Sequence, residues 1–176
     1  MAKGNPPIDL RKVVVDTGPL FNALALVFVR NSPTHRYSGF ENIFGAAEYL
    51  KHDPIAERKL LELFNRIQKI LITSHVIAEL TRLRNVSKLP SREFWLSSVD
   101  YLARKKMDER LLGLIEIYGS DEGCESVNQI GPTDAGLIEL ARREKCILLT
   151  DDDKTLARRA RVVGLVDQCK LVRYLL

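Results

Sequence analysis

Six carboxylates fall at the ends of apolar runs or beside apolar helix stripes: Asp16, Glu79, Asp134, Asp151, Asp152 and Asp153. Asp16 follows "VVV" directly. In "ILLTDDDK" an apolar run meets three consecutive aspartates. Carboxylates packed at one junction repel one another, and a cation is the obvious counterweight. Glu79 lies three residues after Val76 and four before Leu83, so in a helix it shares their apolar stripe. A carboxylate there is costly unless it is paired or binds metal. Asp134 stands three residues before Leu137 and four before Ile138, although an acid in a first helical turn also suits the helix dipole. Read alone, "TDDD" is equally an N-cap with an acidic first turn, Thr150 or Asp151 being the cap.

Taken together, clustered carboxylates without cysteine or a well-placed histidine make a hard, all-oxygen site. Such a site selects Mg²⁺ or Mn²⁺ over zinc. Paired ions held this way can activate a water and stabilise the leaving oxygen of a phosphodiester. Cys124, Cys146 and Cys169 are scattered and form no C-x-x-C pair, which argues against a disulfide framework or a zinc site and for a reducing, cytoplasmic setting. His35, His52 and His75 lie in no motif and are not expected to act as general bases. The net charge is only +4, but with the six carboxylates set aside 27 basic residues face 17 acidic ones. An acidic focus in a basic surround suits a polyanionic substrate that meets bound metal, although Lys and Arg also simply solvate helices.

The elements needed to position these groups follow from the hydrophobic pattern. "VVV" (13–15), "KILIT" (69–73) and "CILLT" (146–150) read as short buried strands, and "VVGLV" and "KLVRYLL" as late strands. A helix is expected over about 20–29, another after Pro54 at N1, and one after a Ser74 cap. The segment 90–119 reads as helix with a bend. "NSPTHRYSGFEN" and "SDEGCESVNQIGP" read as loops, the second followed by a helix capped by Thr133. Strands alternating with helices imply an α/β protein with a parallel sheet covered on both faces. In such sheets ligand sites collect at the carboxyl ends of strands, which places Asp16 and Asp151–Asp153 at one end. The chain reads as a single domain over 1–176, with no secretory h-region, and "PLFNALALVFV" is too short to span a bilayer.

"VVVDTGPLFNAL", "TSHVIAEL", "PTDAGLIELA" and "ILLTDDDKTLARRA" together resemble the ordered motifs of PIN-domain ribonucleases, among them toxins of toxin–antitoxin pairs and enzymes of RNA processing. The resemblance implies a three-layer α/β/α sandwich with a central, mainly parallel sheet. It implies Mg²⁺- or Mn²⁺-dependent endonucleolytic hydrolysis of single-stranded RNA. By this likeness Asp16, Glu79, Asp134 and Asp152 would be catalytic metal ligands. Asp151 would be an added or alternative ligand, and Thr17 and Thr150 would support the site through their hydroxyls. RNA contact would come from Lys154, Arg158, Arg159 and Arg161. The chain is longer than small toxin-type members, with helical insertions near 31–53 and 84–131, so a toxin with an antitoxin and an RNA-processing enzyme with its own partner both stay open. A module that holds RNA or protein without cutting is the alternative from another class. The apolar C-terminal strand would provide a homodimer edge.

Overall fold

The computed structural model describes residues 8–31, 47–51, 53–87, 89–112 and 114–176. Five strands form one all-parallel sheet in the order β3-β2-β1-β4-β5: β1 (Lys12–Val15), β2 (Lys69–Thr73), β3 (Asp108–Arg110), β4 (Ile147–Thr150) and β5 (Cys169–Leu171). Val13–Val15, Ile70–Thr73 and Leu148–Thr150 are buried, as continuous apolar runs covered on both faces must be.

The helices are α1 (Thr17–Asn31), α2 (Pro54–Arg66), α3 (Ser74–Val86), α4 (Ser91–Arg104), α5 (Leu114–Tyr118), α6 (Asp121–Glu144) and α7 (Leu156–Val162). Successive crossovers run from β1 to β2 to β3 in one direction and from β3 back to β4 and β5 in the other. Right-handed crossovers therefore put α1–α4 on one face and α5–α7 on the opposite face. The packing agrees: α1 lies against α2, α3 and α4, while α6 crosses β1, β2 and β4 with α5 and α7 beside it. From Thr17 to Phe28, α1 is buried except at Gly18, and Phe94 of α4 meets Phe21 and Phe28 at centroid distances of 6.2 and 5.9 Å. "PLFNALALVFV" is thus an internal helix, apolar all round because it is covered all round.

The order in which strands are added reverses between β1 and β4, so the crevice at the carboxyl ends of these two strands is the topological switch point of the sheet. Val14 pairs with Leu71 and Val15 with Leu149. Continuing that register sets Asp16 between Thr73 and Thr150.

Six local expectations are corrected. Thr73, not Ser74, precedes α3, and Thr133 lies inside α6 rather than capping a helix. The bent helix over 90–119 is instead α4, β3 and α5. The end of α4 is closed by Lys106 at φ 47°, with Lys106 N–H on the Ala103 carbonyl and Met107 N–H on the Leu102 carbonyl. Lysine in this left-handed position gives no glycine signal. β3 reads "DER", and its charges suit an edge: Lys69 Nζ stands 2.9 Å from Asp108. "SDEGCESVNQI" is helical, not a loop, because Ser120 accepts from Gly123 N–H at 3.0 Å and caps α6. "VVGLV" is no strand. Gly164 at φ 84° ends α7, its N–H on the Arg161 carbonyl and Leu165 N–H on the Ala160 carbonyl. Finally, only Cys169–Leu171 of the C-terminal run is strand, followed by a 3₁₀ turn at Val172–Tyr174.

The loop and helix expected across 31–53 fall mostly outside the described residues, as do His35 and His52; a 3₁₀ turn at Glu48–Leu50 is described there. Among the described residues no helix is long and apolar enough to cross a membrane.

Candidate active site

Asp16 leaves β1 and immediately starts α1. Its own N–H donates to the Leu149 carbonyl at 2.9 Å, which ties it to β4. Its Oδ1 accepts from Thr17 N–H at 2.6 Å and its Oδ2 from the Thr150 hydroxyl at 2.7 Å. The Thr17 hydroxyl donates to Glu79 Oε2 at 2.5 Å, linking the start of α1 to α3. The two threonines therefore join three of the acidic segments, since Thr150 Oγ1 also accepts from Asp152 N–H at 3.0 Å.

Asp134 arrives from the opposite face. Gly131, at φ 85° and ψ 166°, breaks α6 in two, and Pro132 suits the first turn of the new half. Asp134 therefore occupies a first helical turn, a position that sequence alone explains as helix-dipole electrostatics. Its surroundings add a second cause. Burial and then the charges of Asp16, Glu79 and Asp152 push its carboxyl up to about 7. Burial likewise raises Asp16, and despite the Thr150 and Thr17 hydrogen bonds the neighbouring Glu79 and Asp152 help carry it to about 6. Four carboxylates from β1, α3, α6 and the β4–α7 turn thus feel one another at the switch point.

Asp152 joins them under local control. Its Oδ1 accepts from Lys154 N–H at 3.0 Å and Thr155 N–H at 2.9 Å, and its Oδ2 accepts from the Thr155 hydroxyl. Burial raises its carboxyl, but these bonds outweigh burial and leave it below the usual carboxylate range. Its neighbours turn elsewhere. Asp151 Oδ2 accepts from the Tyr49 hydroxyl at 2.7 Å, and Asp153 pairs with Arg173. The repulsion expected of three adjacent aspartates is thus relieved largely by dispersing them onto separate partners. Asp151 is not among the charges that raise Asp16 or Asp134.

The donor set, four carboxylates and two hydroxyls, fits a hard divalent cation such as Mg²⁺ or Mn²⁺. Among the described residues no three His, Cys, Asp or Glu side chains form a closed cage for one ion as placed. The centre is an open acidic cluster rather than a finished coordination shell.

The basic residues divide. Lys154 and Arg158 are exposed and line an open groove of about 440 Å³ beside α6 with Gln129 and Ile130. Arg161 is also exposed, on α7. Arg159, expected to meet RNA, is only 5% exposed. Its Nε donates to Ser126 Oγ at 2.9 Å and its Nη2 to the Glu122 carbonyl at 3.2 Å, with Glu125 at 3.4 Å. It braces α7 against the first half of α6. The helical period carried this signal: Leu156, Arg159, Ala160 and Val163 fall at i, i+3, i+4 and i+7 of one inward stripe. Replacing Arg159 with Ala is expected to cost about 2–3 kcal/mol, since it removes a buried side chain together with its hydrogen bonds to Ser126 and Glu122. The melting temperature should fall by roughly 5–10 °C. A variant melting like wild type would show that the brace contributes little. Tyr49 had no signal in the sequence, because its contact spans 102 positions.

Fold and centre define a parallel α/β protein with an acidic site at the carboxyl edge of its sheet. Residues 45–162 match the family model described as "PIN domain", about two thirds of the chain, and the chain belongs to the PIN-domain family, a nuclease-type fold. The match covers Glu79, Asp134, Thr150 and Asp152; β1 with Asp16 lies before it and β5 after it. No curated protein and no solved structure matches the chain.

Proposed function

We propose that this chain is a Mg²⁺- or Mn²⁺-dependent endoribonuclease that hydrolyses phosphodiester bonds of single-stranded RNA. One observation carries the reading: Asp16, Glu79, Asp134 and Asp152 arrive from four elements, and the charges of Glu79 and Asp152 help burial to raise both Asp16 and Asp134. These four would hold the cation. When bound, it would supply Lewis-acid activation of water and charge stabilisation at the departing oxygen.

The chain's own residues have separable tasks. Thr17 orients Glu79, and Thr150 orients Asp16 while anchoring the Asp152 turn. A buried threonine hydroxyl fixes a carboxylate without adding charge, so the negative potential of the centre is undiminished. Lys154 and Arg158, with Arg161, would bind phosphates on either side of the scissile bond, and their exposure leaves them free to do so. The position of Lys154, two residues after Asp152, brings a phosphate contact to the centre itself.

The test is incubation of purified protein with labelled single-stranded RNA and Mn²⁺ or Mg²⁺, beside an EDTA control. Internal cuts that need the metal are expected. Removing both Lys154 and Arg158 (K154A with R158A) should reduce the salt slope of RNA affinity by about 1.4 in log–log terms, about 0.7 for each lost phosphate contact. An unchanged slope would remove these two residues from the RNA path. Absence of both metal binding and cleavage would favour the non-cutting module. Self-association through the C-terminal edge belongs to the same proposal, and a clean monomer by light scattering at high concentration removes it.

A further inference from the structure

The loop Asp151–Asp153 is gripped from two distant parts of the chain. Tyr49 in the 3₁₀ turn Glu48–Leu50 donates its hydroxyl to Asp151 Oδ2 at 2.7 Å. Arg173 in the C-terminal 3₁₀ turn pairs with Asp153. Asp152 lies between the two gripped residues and alone of the three is felt by Asp16 and Asp134.

We propose that Tyr49 and Arg173 are positioning residues: they draw Asp151 and Asp153 away from the centre and so fix the carboxylate of Asp152 toward it. The metal role of Asp152 rests on the function proposed above; the grip on the loop does not. Three adjacent aspartates otherwise offer competing orientations for one loop, and a flip of the chain by one residue would present the wrong carboxylate. The clamp selects one orientation. Its two arms act on different residues, and each meets a need of its own. Asp151 Oδ1 is buried with no partner among the described residues. The Tyr49 hydroxyl on Oδ2 therefore carries the polar satisfaction of that carboxylate among the described residues. Without the hydroxyl, Asp151 gains by turning toward water, and the peptide it shares with Asp152 turns with it. Asp153, with a side chain 40% exposed, needs no partner for solvation, so its pairing with Arg173 serves direction.

The turn contains its own reporters. Lys154 N–H and Thr155 N–H donate to Asp152 Oδ1, so their exchange with solvent reads the position of that carboxylate without any metal. Amide hydrogen exchange by NMR on the full chain should show Lys154 and Thr155 exchanging about tenfold faster in Tyr49→Phe and in Arg173→Gln. Leu148 and Leu149 of β4 should keep their wild-type rates. Unchanged exchange at both reporter amides overturns the proposal, and so does an equal acceleration throughout β4, which would mean only general loosening. A second readout is Mn²⁺ affinity by calorimetry. Tyr49→Phe should bind Mn²⁺ about tenfold more weakly, and the same change should have no effect once Asp152 is Asn. Equal affinity of Tyr49→Phe and wild type overturns the link to Asp152. Failure of wild type to bind Mn²⁺ would overturn the nuclease reading, while the exchange measurement would still decide on the clamp.

Discussion

The Asp16→Asn variant loses cleavage of single-stranded RNA by about 10³-fold and, without metal, melts at a higher temperature than wild type. Both effects come from one carboxylate. In wild type its charge is held half-buried beside Glu79 and Asp152, which is why its protonation is raised to about 6. Asn keeps the shape and removes the charge. It can still accept from Thr17 N–H, and the Thr150 hydroxyl can rotate to accept from the new amide, so the strand end stays connected. What disappears is a unit of negative potential at the point where β1, α1 and β4 meet. The metal-free protein gains what that repulsion cost, about 2–4 °C for each kcal/mol. Single-turnover cleavage in Mn²⁺ and thermal melts in EDTA at pH 7.5 read the two effects separately. Full cleavage by the variant would sink the assignment of Asp16 as a ligand. Lost cleavage with a lowered melting temperature would make Asp16 a structural residue.

The parts of this fold legible in the sequence are those in which burial dictates residue type. β1, β2 and β4 are apolar runs because both faces of the sheet are covered, and their order with the helices implied a parallel sheet. Asp16, Glu79 and Asp134 stood out for the complementary reason, as charges beside or within apolar stripes. What escaped detection depended on backbone geometry or on distant partners. β3 is charged since it lies at the edge, so it has none of the pattern of a buried strand. The end of α4 uses lysine where glycine would have marked it. In the triple aspartate, the three residue types are identical and only Tyr49 and Arg173 differentiate them, across separations of 102 and 20 positions. Arg159 is the instructive middle case. Its charge suggested a solvent face, while the period of its own helix placed it inward, and the period prevailed because Ser126 and the Glu122 carbonyl satisfy its guanidinium.

In EDTA the melting temperature of the wild-type protein falls as pH rises from about 4 to about 7, and Mn²⁺ reverses the fall at the upper end. In the unfolded chain an aspartate loses its proton near 3.8, whereas folded Asp16 and Asp134 keep theirs to about 6 and about 7. Between these limits the folded state binds protons that the unfolded chain has released, so stability decreases with pH. Above about 7 both groups are charged, and the loss is complete. Asp152 works in the opposite sense: with its carboxyl lowered, it contributes stability above its unfolded value and loses it only in stronger acid, outside this window. Mn²⁺ binds the deprotonated carboxylates, so it competes with protons at pH 5 and is unopposed at pH 7.5. At a concentration 100 times its Kd it adds about 2.7 kcal/mol, or roughly 5–11 °C, at the higher pH and little at the lower. Melts at pH 5 and 7.5, each with EDTA or Mn²⁺, test the whole cycle. A metal shift of equal size at both values would separate metal binding from these carboxylates. The Asp134→Asn variant isolates the group with the largest raise: its EDTA melting curve should be flatter between pH 5 and 7, and a slope like that of wild type would assign the pH dependence elsewhere.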